Sequence, residues 1–135
     1  MKNLKDVFKR DLFVQRCGIE LISVTPGHAV ARMPVQPWHM NSVGIVQGGA
    51  IFTLADFAFA AASNSHGKVA VGINVSITYM KSVKAGVLQA EAKEVATNPK
   101  LGTYLVHVTD ENNNLIAVFQ GLVYRKDEPL PVNHH

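Results

Sequence analysis

The segment from Gly48 to Ser65 has almost no polar side. Ala50, Ile51, Phe52, Leu54, Ala55, Phe57, Ala58, Phe59, Ala60, Ala61 and Ala62 fill it. Its alanine content favours helix, and His66-Gly67 supplies an expected stop. A helix that is apolar all round has to be covered on all sides. The remainder of the chain must therefore furnish a wrapper, and its patterning shows what kind.

Before the helix, Leu4, Phe8, Leu12 and Phe13 recur at helical spacing and predict one short amphipathic N-terminal helix. Ile19 to Val24 and His28 to Val35 read as two strands joined at Pro26-Gly27. Pro34, Pro37 and the polar run to Ser42 read as a loop, with Trp38 as its candidate anchor. After the helix the period drops to two. Val69, Val71, Ile73, Val75, Ile77 and Tyr79 alternate with smaller or polar residues, a long half-buried strand. Val87 to Val95, Leu101 to Thr109 and Leu115 to Tyr124 follow as three more strands, separated by Ala85-Gly86, Asn98-Pro99-Lys100 and Asn112-Asn113-Asn114. Sequential hairpins imply an antiparallel sheet whose apolar face needs a cover. An α+β fold results, a curved antiparallel sheet wound round one long central helix. Residues 1–127 form the expected single domain, and 128–135, with two prolines and two terminal histidines, a flexible tail.

The composition removes several function classes. The 47% apolar content is ordinary for a globular chain. No apolar run reaches the roughly 18 residues of a membrane span, and the opening Met1 to Asp6 lacks the pattern of a secretory signal. The 13 basic residues are scattered and not interleaved with aromatics, which argues against nucleic acid. Cys17 stands alone, so neither an intramolecular disulfide nor a cysteine-based metal cage is available, and a reducing cytoplasm is the expected compartment. His28, His66 and His107 have no metal-ligand spacing, and no G-x-S-x-G elbow or phosphate-binding glycine loop occurs. No metal or separate cofactor is expected.

One charge interrupts this picture. Between Arg32 and Lys68 the only Asp, Glu, Lys or Arg is Asp56, in the middle of the most apolar segment. An ionised carboxylate buried without partners costs several kcal/mol. Thr53, Asp56 and Ser63 fall on one helical stripe, a single polar line on an apolar cylinder. Asp56 is either a structural acceptor tied to a neighbouring strand or a partly desolvated carboxylate poised as base or nucleophile. Gln47-Gly48-Gly49 opens the same helix. Its first N–H groups lack intrahelical acceptors, and glycines allow a ligand close to the backbone. A carbonyl developing oxyanion character would gain from such donors.

His39-Met40-Asn41, Gly44 and the run Gln47 to Asp56, continued by Ala58-Phe59-Ala60, resemble the phenylacetic-acid-degradation (PaaI-type) branch of the 4-hydroxybenzoyl-CoA thioesterase superfamily. Asn64-Ser65 and Ser76 to Met80 are similar to the same branch. The resemblance implies the hotdog fold and hydrolysis of an acyl-CoA thioester. It implies that Asp56 activates water or attacks the thioester, that the Gly48 N–H polarises the carbonyl, and that Asn41 orients water or substrate. It also implies a homo-oligomer, dimer or tetramer, in which Asp56 faces Asn41, Gln47 and Gly48 of another copy. CoA contacts are implied for Gly49, Thr53, Tyr79, Met80, Lys81, Lys84, Lys100, Leu101 and Gly102, with Lys84 and Lys100 as phosphate partners.

The sequence departs from the branch at Gln47, where the family usually carries histidine. Glutamine donates a hydrogen bond but carries no proton in the working pH range. Gly72 stands where the branch has a polar helper residue, with Asn74 as a neighbouring substitute. Phe52, Phe57 and Phe59 are either acyl-pocket walls or ordinary core. Two other readings compete: a hydratase or dehydratase, for which His39 is the only nearby histidine, and a non-catalytic acyl-CoA-binding module.

Overall fold

A computed structural model describes residues 4–131. The wrapper and its contents are as the pattern requires. A central helix, Gly48–Ser63, is enclosed by a six-stranded sheet made of Glu20–Thr25, His28–Pro34, Lys68–Tyr79, Val87–Thr97, Leu101–Thr109 and Leu115–Pro129. We number these strands β1 to β6 in chain order. The helix is α3, preceded by α1 (Leu4–Phe8), α2 (Leu12–Arg16) and a 3-10 turn over Pro37–His39.

Every neighbouring pair of strands is antiparallel, in the order β1-β2-β4-β5-β6-β3. The hairpin expected between β3 and β4 is therefore not formed. Instead β3 lies at the far edge, paired with the last strand, and β4 lies between β2 and β5. Ala85-Gly86 lies within a crossing segment, which local turn chemistry cannot distinguish from a hairpin.

The sheet accepts the helix because its inner face is graded by size. On β2 and β4, Ala29 faces Ala92 and Ala31 faces Ala90, all fully buried. These four small residues let α3 lie close, meeting its own buried Ala55, Ala58, Ala61 and Ala62. Larger rings fill the other half. Phe59 packs against Tyr104 and Phe119, with centroids 5.7 and 5.4 Å away, and Phe52 reaches Phe119 at 5.5 Å. Phe57 and Phe59 are core residues, which decides against acyl-pocket walls for those two.

The far end of α3 is clasped by side chains. The Asn64 amide donates to the carbonyls of Ala60 and Ala70, and its oxygen accepts the Ala70 N–H at 2.8 Å. Buried Ser65 donates to the Ala62 carbonyl and accepts the Gly27 N–H from the β1–β2 turn. Asn64-Ser65 thus serves as a joint between helix, hairpin and β3.

Three expectations need correction. The N-terminal helix is two helices, because Asp11 accepts the Val14 N–H and caps a new one; Leu12 and Phe13 are then mostly exposed. Trp38 does not anchor its loop, being 67% exposed. β6 continues past residue 127 to Pro129, and buried Leu130 bonds the Gly67 carbonyl; residues 132–135 of the expected tail lie outside the described residues.

Candidate active site

The loop before α3 is built round two side chains. His39 is buried, with Nδ1 accepting the Gln36 N–H at 2.9 Å and Nε2 donating to the Cys17 carbonyl at 2.7 Å. Both ring nitrogens are committed, so the tautomer is fixed and His39 has none to offer a substrate. Its backbone carbonyl accepts the Gln47 N–H at 2.7 Å, which aims the start of α3. Asn41 holds the next bend, its side-chain oxygen accepting the N–H groups of Val43 and Ile45. That assignment leaves the Asn41 amide hydrogens for another partner.

At the start of α3, the Gln47 carbonyl accepts the N–H groups of Ala50 and Ile51. Among the described residues, the N–H groups of Gly48 and Gly49 have no acceptor. The Gln47 side chain is exposed and makes no hydrogen bond to a described residue. Tyr79, the last residue of β3, donates its hydroxyl to the Gly48 carbonyl at 2.8 Å. Met80 and Lys81 follow immediately, both N–H groups bonded to the Ile116 carbonyl.

The polar stripe on α3 divides into spent and unspent groups. Thr53 donates to the Gly49 carbonyl at 2.8 Å and Ser63 to that of Ala60. Both satisfy themselves within the helix, a habit of Ser and Thr there. Asp56 does not. Its carboxylate is half-buried and has no side-chain hydrogen bond or ion pair to any described residue. The structural-acceptor alternative lacks the strand partner it needs. Burial raises the Asp56 pKa above the usual carboxylate value, and the charge of Asp11 raises it further. Nothing in the sequence ties Asp11 to Asp56; its position before Leu12 marks it only as a helix cap.

The expected residues are not all brought together. Gln47, Gly48, Gly49, Thr53 and Tyr79 meet at the start of α3, with Asn41 in the loop before it and Met80 next to Tyr79 in sequence. Lys100 lies elsewhere, in a basic recess of about 560 Å³ with His66, Lys68, Tyr124, Arg125 and Lys126, its Nζ 6.0 Å from the Tyr124 ring centre. Leu101 and Gly102 begin β5 beside it, Gly102 buried against Tyr104 and Val123. Lys81 and Lys84 are exposed in the segment after β3.

Asp56 and Gly48 are not brought together within one chain. They stand eight residues apart on α3, a rise of about 12 Å along the axis. Gly72 and Asn74 are likewise not a cleft pair. Gly72 lies under the Phe59 ring, 3.1 Å from where a β-carbon would sit. Asn74 pairs with Leu122 and Ser76 with Gln120, the strand positions alternating with buried Gly121 and Val123, so Asn74 is on the outer face and cannot stand in for a cleft residue. No group of three or more metal-binding side chains occurs among the described residues, and no described helix is long and apolar enough to cross a membrane.

Residues 43–117, more than half of the chain, match the family described as the thioesterase superfamily. The chain belongs to that family, and its helix-in-sheet architecture is the hotdog fold of the PaaI type, the fold of a thioester hydrolase. It is 44% identical, over 97% of its length and 86% of the relative's, to an Archaeoglobus fulgidus protein designated only an esterase. It is 31% identical to the acyl-coenzyme A thioesterase PaaI of Escherichia coli, across 92% of this chain and 89% of that one. The structure of the E. coli PaaI protein superposes with a TM-score of 0.88 at 28% identity, covering 96% of this chain and all of that one.

Proposed function

We propose that this protein hydrolyses an aryl or medium-chain acyl-CoA thioester to the free acid and CoA, with Asp56 as base or nucleophile. The observation that carries the reading is Asp56 itself: a half-buried carboxylate with no side-chain partner among the described residues, on a helix where every other polar side chain of its stripe is satisfied. As base it takes a proton from water while the water oxygen bonds the thioester carbon; the C–S bond breaks and CoA leaves as the thiol. As nucleophile its oxygen bonds the thioester carbon, the C–S bond breaks and CoA leaves as the thiolate, and water opens the resulting mixed anhydride to the free acid and the regenerated carboxylate. In either route the free N–H of Gly48 stabilises the oxygen that becomes negative. Asn41, with its amide hydrogens free, orients the water or the acyl group.

The site is completed by a second copy. A single chain leaves Asp56 about 12 Å from its own Gly48, too far to act on one carbonyl. It also leaves β3 with an open edge on which Val71, Ile73 and Val75 are exposed. Antiparallel pairing of two β3 edges covers that strand and brings each Asp56 towards the partner's helix start. A dimer, or a dimer of dimers, in the cytoplasm is the working assembly. Lys84 and Lys100 are the phosphate contacts, with Gly49, Thr53 and Tyr79 to Lys81 beside the acyl-pantetheine arm.

The hydratase alternative requires a free histidine, and His39 has both nitrogens engaged. The deciding test is thiol release from phenylacetyl-, benzoyl- and hexanoyl-CoA by wild type and Asp56→Ala. Release by the wild type, reduced at least about a hundredfold in the variant, is the expected result. Equal CoA-ester binding by both proteins with thiol release by neither makes this a binding module. Single-turnover hydrolysis in H₂¹⁸O separates the routes: with Asp56 as base the label appears in the product acid, whereas with Asp56 as nucleophile and water opening the anhydride at the Asp56 carbonyl the label enters Asp56 and the acid leaves unlabelled.

A further inference from the structure

We propose that Tyr79 is a positioning residue for the thioester carbonyl: by donating its hydroxyl to the Gly48 carbonyl, it locks the first turn of α3 and polarises the Gly48–Gly49 peptide. This rests on the hydrolase reading above and goes beyond it, because Tyr79 is thereby assigned a task on the backbone in addition to any contact with ligand.

The geometry is specific. The Tyr79 ring lies against Gly48 so closely that a β-carbon there would stand 3.1 Å from both its Cζ and its hydroxyl oxygen. Glycine at 48 therefore admits the tyrosine as well as any ligand, and the hydroxyl lies 2.8 Å from the Gly48 carbonyl oxygen. That carbonyl has the N–H of residue 52 as its helical partner, and its second lone pair takes the phenol. The donor is held by the sheet rather than by a loop. Tyr79 pairs with Ala117, and the Met80 and Lys81 N–H groups close the strand end on Ile116.

The chemical consequence runs through the peptide plane. Carbonyl and N–H share one conjugated group, so a donor on the Gly48 oxygen draws charge from the Gly49 nitrogen and makes its hydrogen a better donor. Of the N–H groups at this helix start, that one and the Gly48 N–H are the two with no acceptor among the described residues. On the other side, the His39 carbonyl fixes Gln47. The turn is thus held from both flanks. Since Gln47 cannot contribute the charge of an imidazolium, polarisation of the carbonyl falls on the backbone donors, and Tyr79 strengthens the second of them, the Gly49 N–H, beside that of Gly48.

The test compares Tyr79→Phe, which keeps the ring and removes the donor, with wild type and Asp56→Ala, using phenylacetyl-CoA and hexanoyl-CoA. We expect kcat to fall about five- to tenfold, the size of one net hydrogen bond, with KM within about twofold. A second readout is independent of turnover. In protein labelled with ¹⁵N-glycine, ten glycine amides are observable in principle, and the Gly49 N–H should move upfield in Tyr79→Phe while Gly18 and Gly67 stay in place. If Tyr79→Phe keeps the wild-type kcat, or lowers kcat and raises KM together with an unchanged Gly49 amide, the positioning role is overturned. If that happens while Asp56→Ala is inactive, the hydrolase reading stands alone. A wild type that releases no thiol from either ester overturns both.

Discussion

The ring of Phe59 lies on the backbone of Gly121, its edge 2.5 Å from where a β-carbon at that position would be. The same ring passes 3.1 Å from the corresponding point on Gly72, so two adjacent strands are both hollowed to receive it. The helix is keyed into the sheet by this one side chain. Gly121→Ala should therefore cost about 1–3 kcal/mol, the usual cost of overpacking a close-packed interior. Phe59→Leu in the same chain should recover part of the loss. Urea melts of the two single variants and the double variant check this, and additive losses would show that the ring and the glycine are not coupled.

Asp56 should trade stability for activity. Its folded-state pKa lies above the usual value because of burial first and Asp11 second. The folded protein therefore holds this proton to higher pH than the unfolded chain does. The stabilising contribution is present at low pH and disappears as pH rises from the ordinary carboxylate value, about 4, through the raised one. Asp56→Asn, which stays neutral throughout, should melt at a higher temperature than wild type at pH 7 while losing thiol release. A lower melting temperature would mean that the carboxylate is held by favourable contacts in the assembled protein.

The charge of Asp11 should be visible in the pH profile. With Asp56 acting in its ionised form, activity rises with pH through an acid limb placed above the ordinary carboxylate range. Asp11→Asn keeps a good helix cap for α2 and removes one negative charge from beside Asp56. The acid limb should move to lower pH. An unmoved limb would leave burial as the only working cause.

Gln47→His should speed the reaction. The Gln47 side chain is exposed and has no described partner, so the exchange leaves the loop's hydrogen bonds intact. A charge-assisted donor beside the carbonyl is stronger than an amide, and a rise in kcat of about threefold or more is expected near the histidine pKa. An unchanged kcat would show that the backbone N–H groups already supply what the thioester needs.

The parts of this molecule legible in its sequence were those governed by local periodicity. The all-apolar run gave α3 to within two residues of its end, and β5 was bounded at Leu101 and Thr109 as observed. The lone charge at Asp56 and the glycines at 48 and 49 also stood out, because each violates its surroundings. What the sequence hid depends on contacts between distant segments. Val71, Ile73 and Val75 read as the buried side of a half-buried strand, yet a register shift between Gly72 and Asn74 breaks the alternation, so that Val71 pairs with exposed Tyr124 and Val75 with buried Gly121, and all three are exposed on this edge strand. His39 looks like any loop histidine until Cys17 and Gln36 are brought to its two nitrogens. Resemblance points Tyr79 towards a ligand; nothing local indicates that its hydroxyl reaches a backbone carbonyl 31 residues away.

The position of β3 has a consequence for how the chain is made. This strand leaves α3 directly, but its partner among the described strands is β6, which is synthesised after the other five. On the ribosome, β3 must wait with its apolar side chains unpaired while β4 and β5 can already assemble against β2. Closure of the sheet round α3 is thus a late event that needs the C-terminal strand. A chain stopped before Leu115 would leave β3 with no strand to join, and such a fragment is expected to be a target for chaperones and proteases rather than a smaller folded protein.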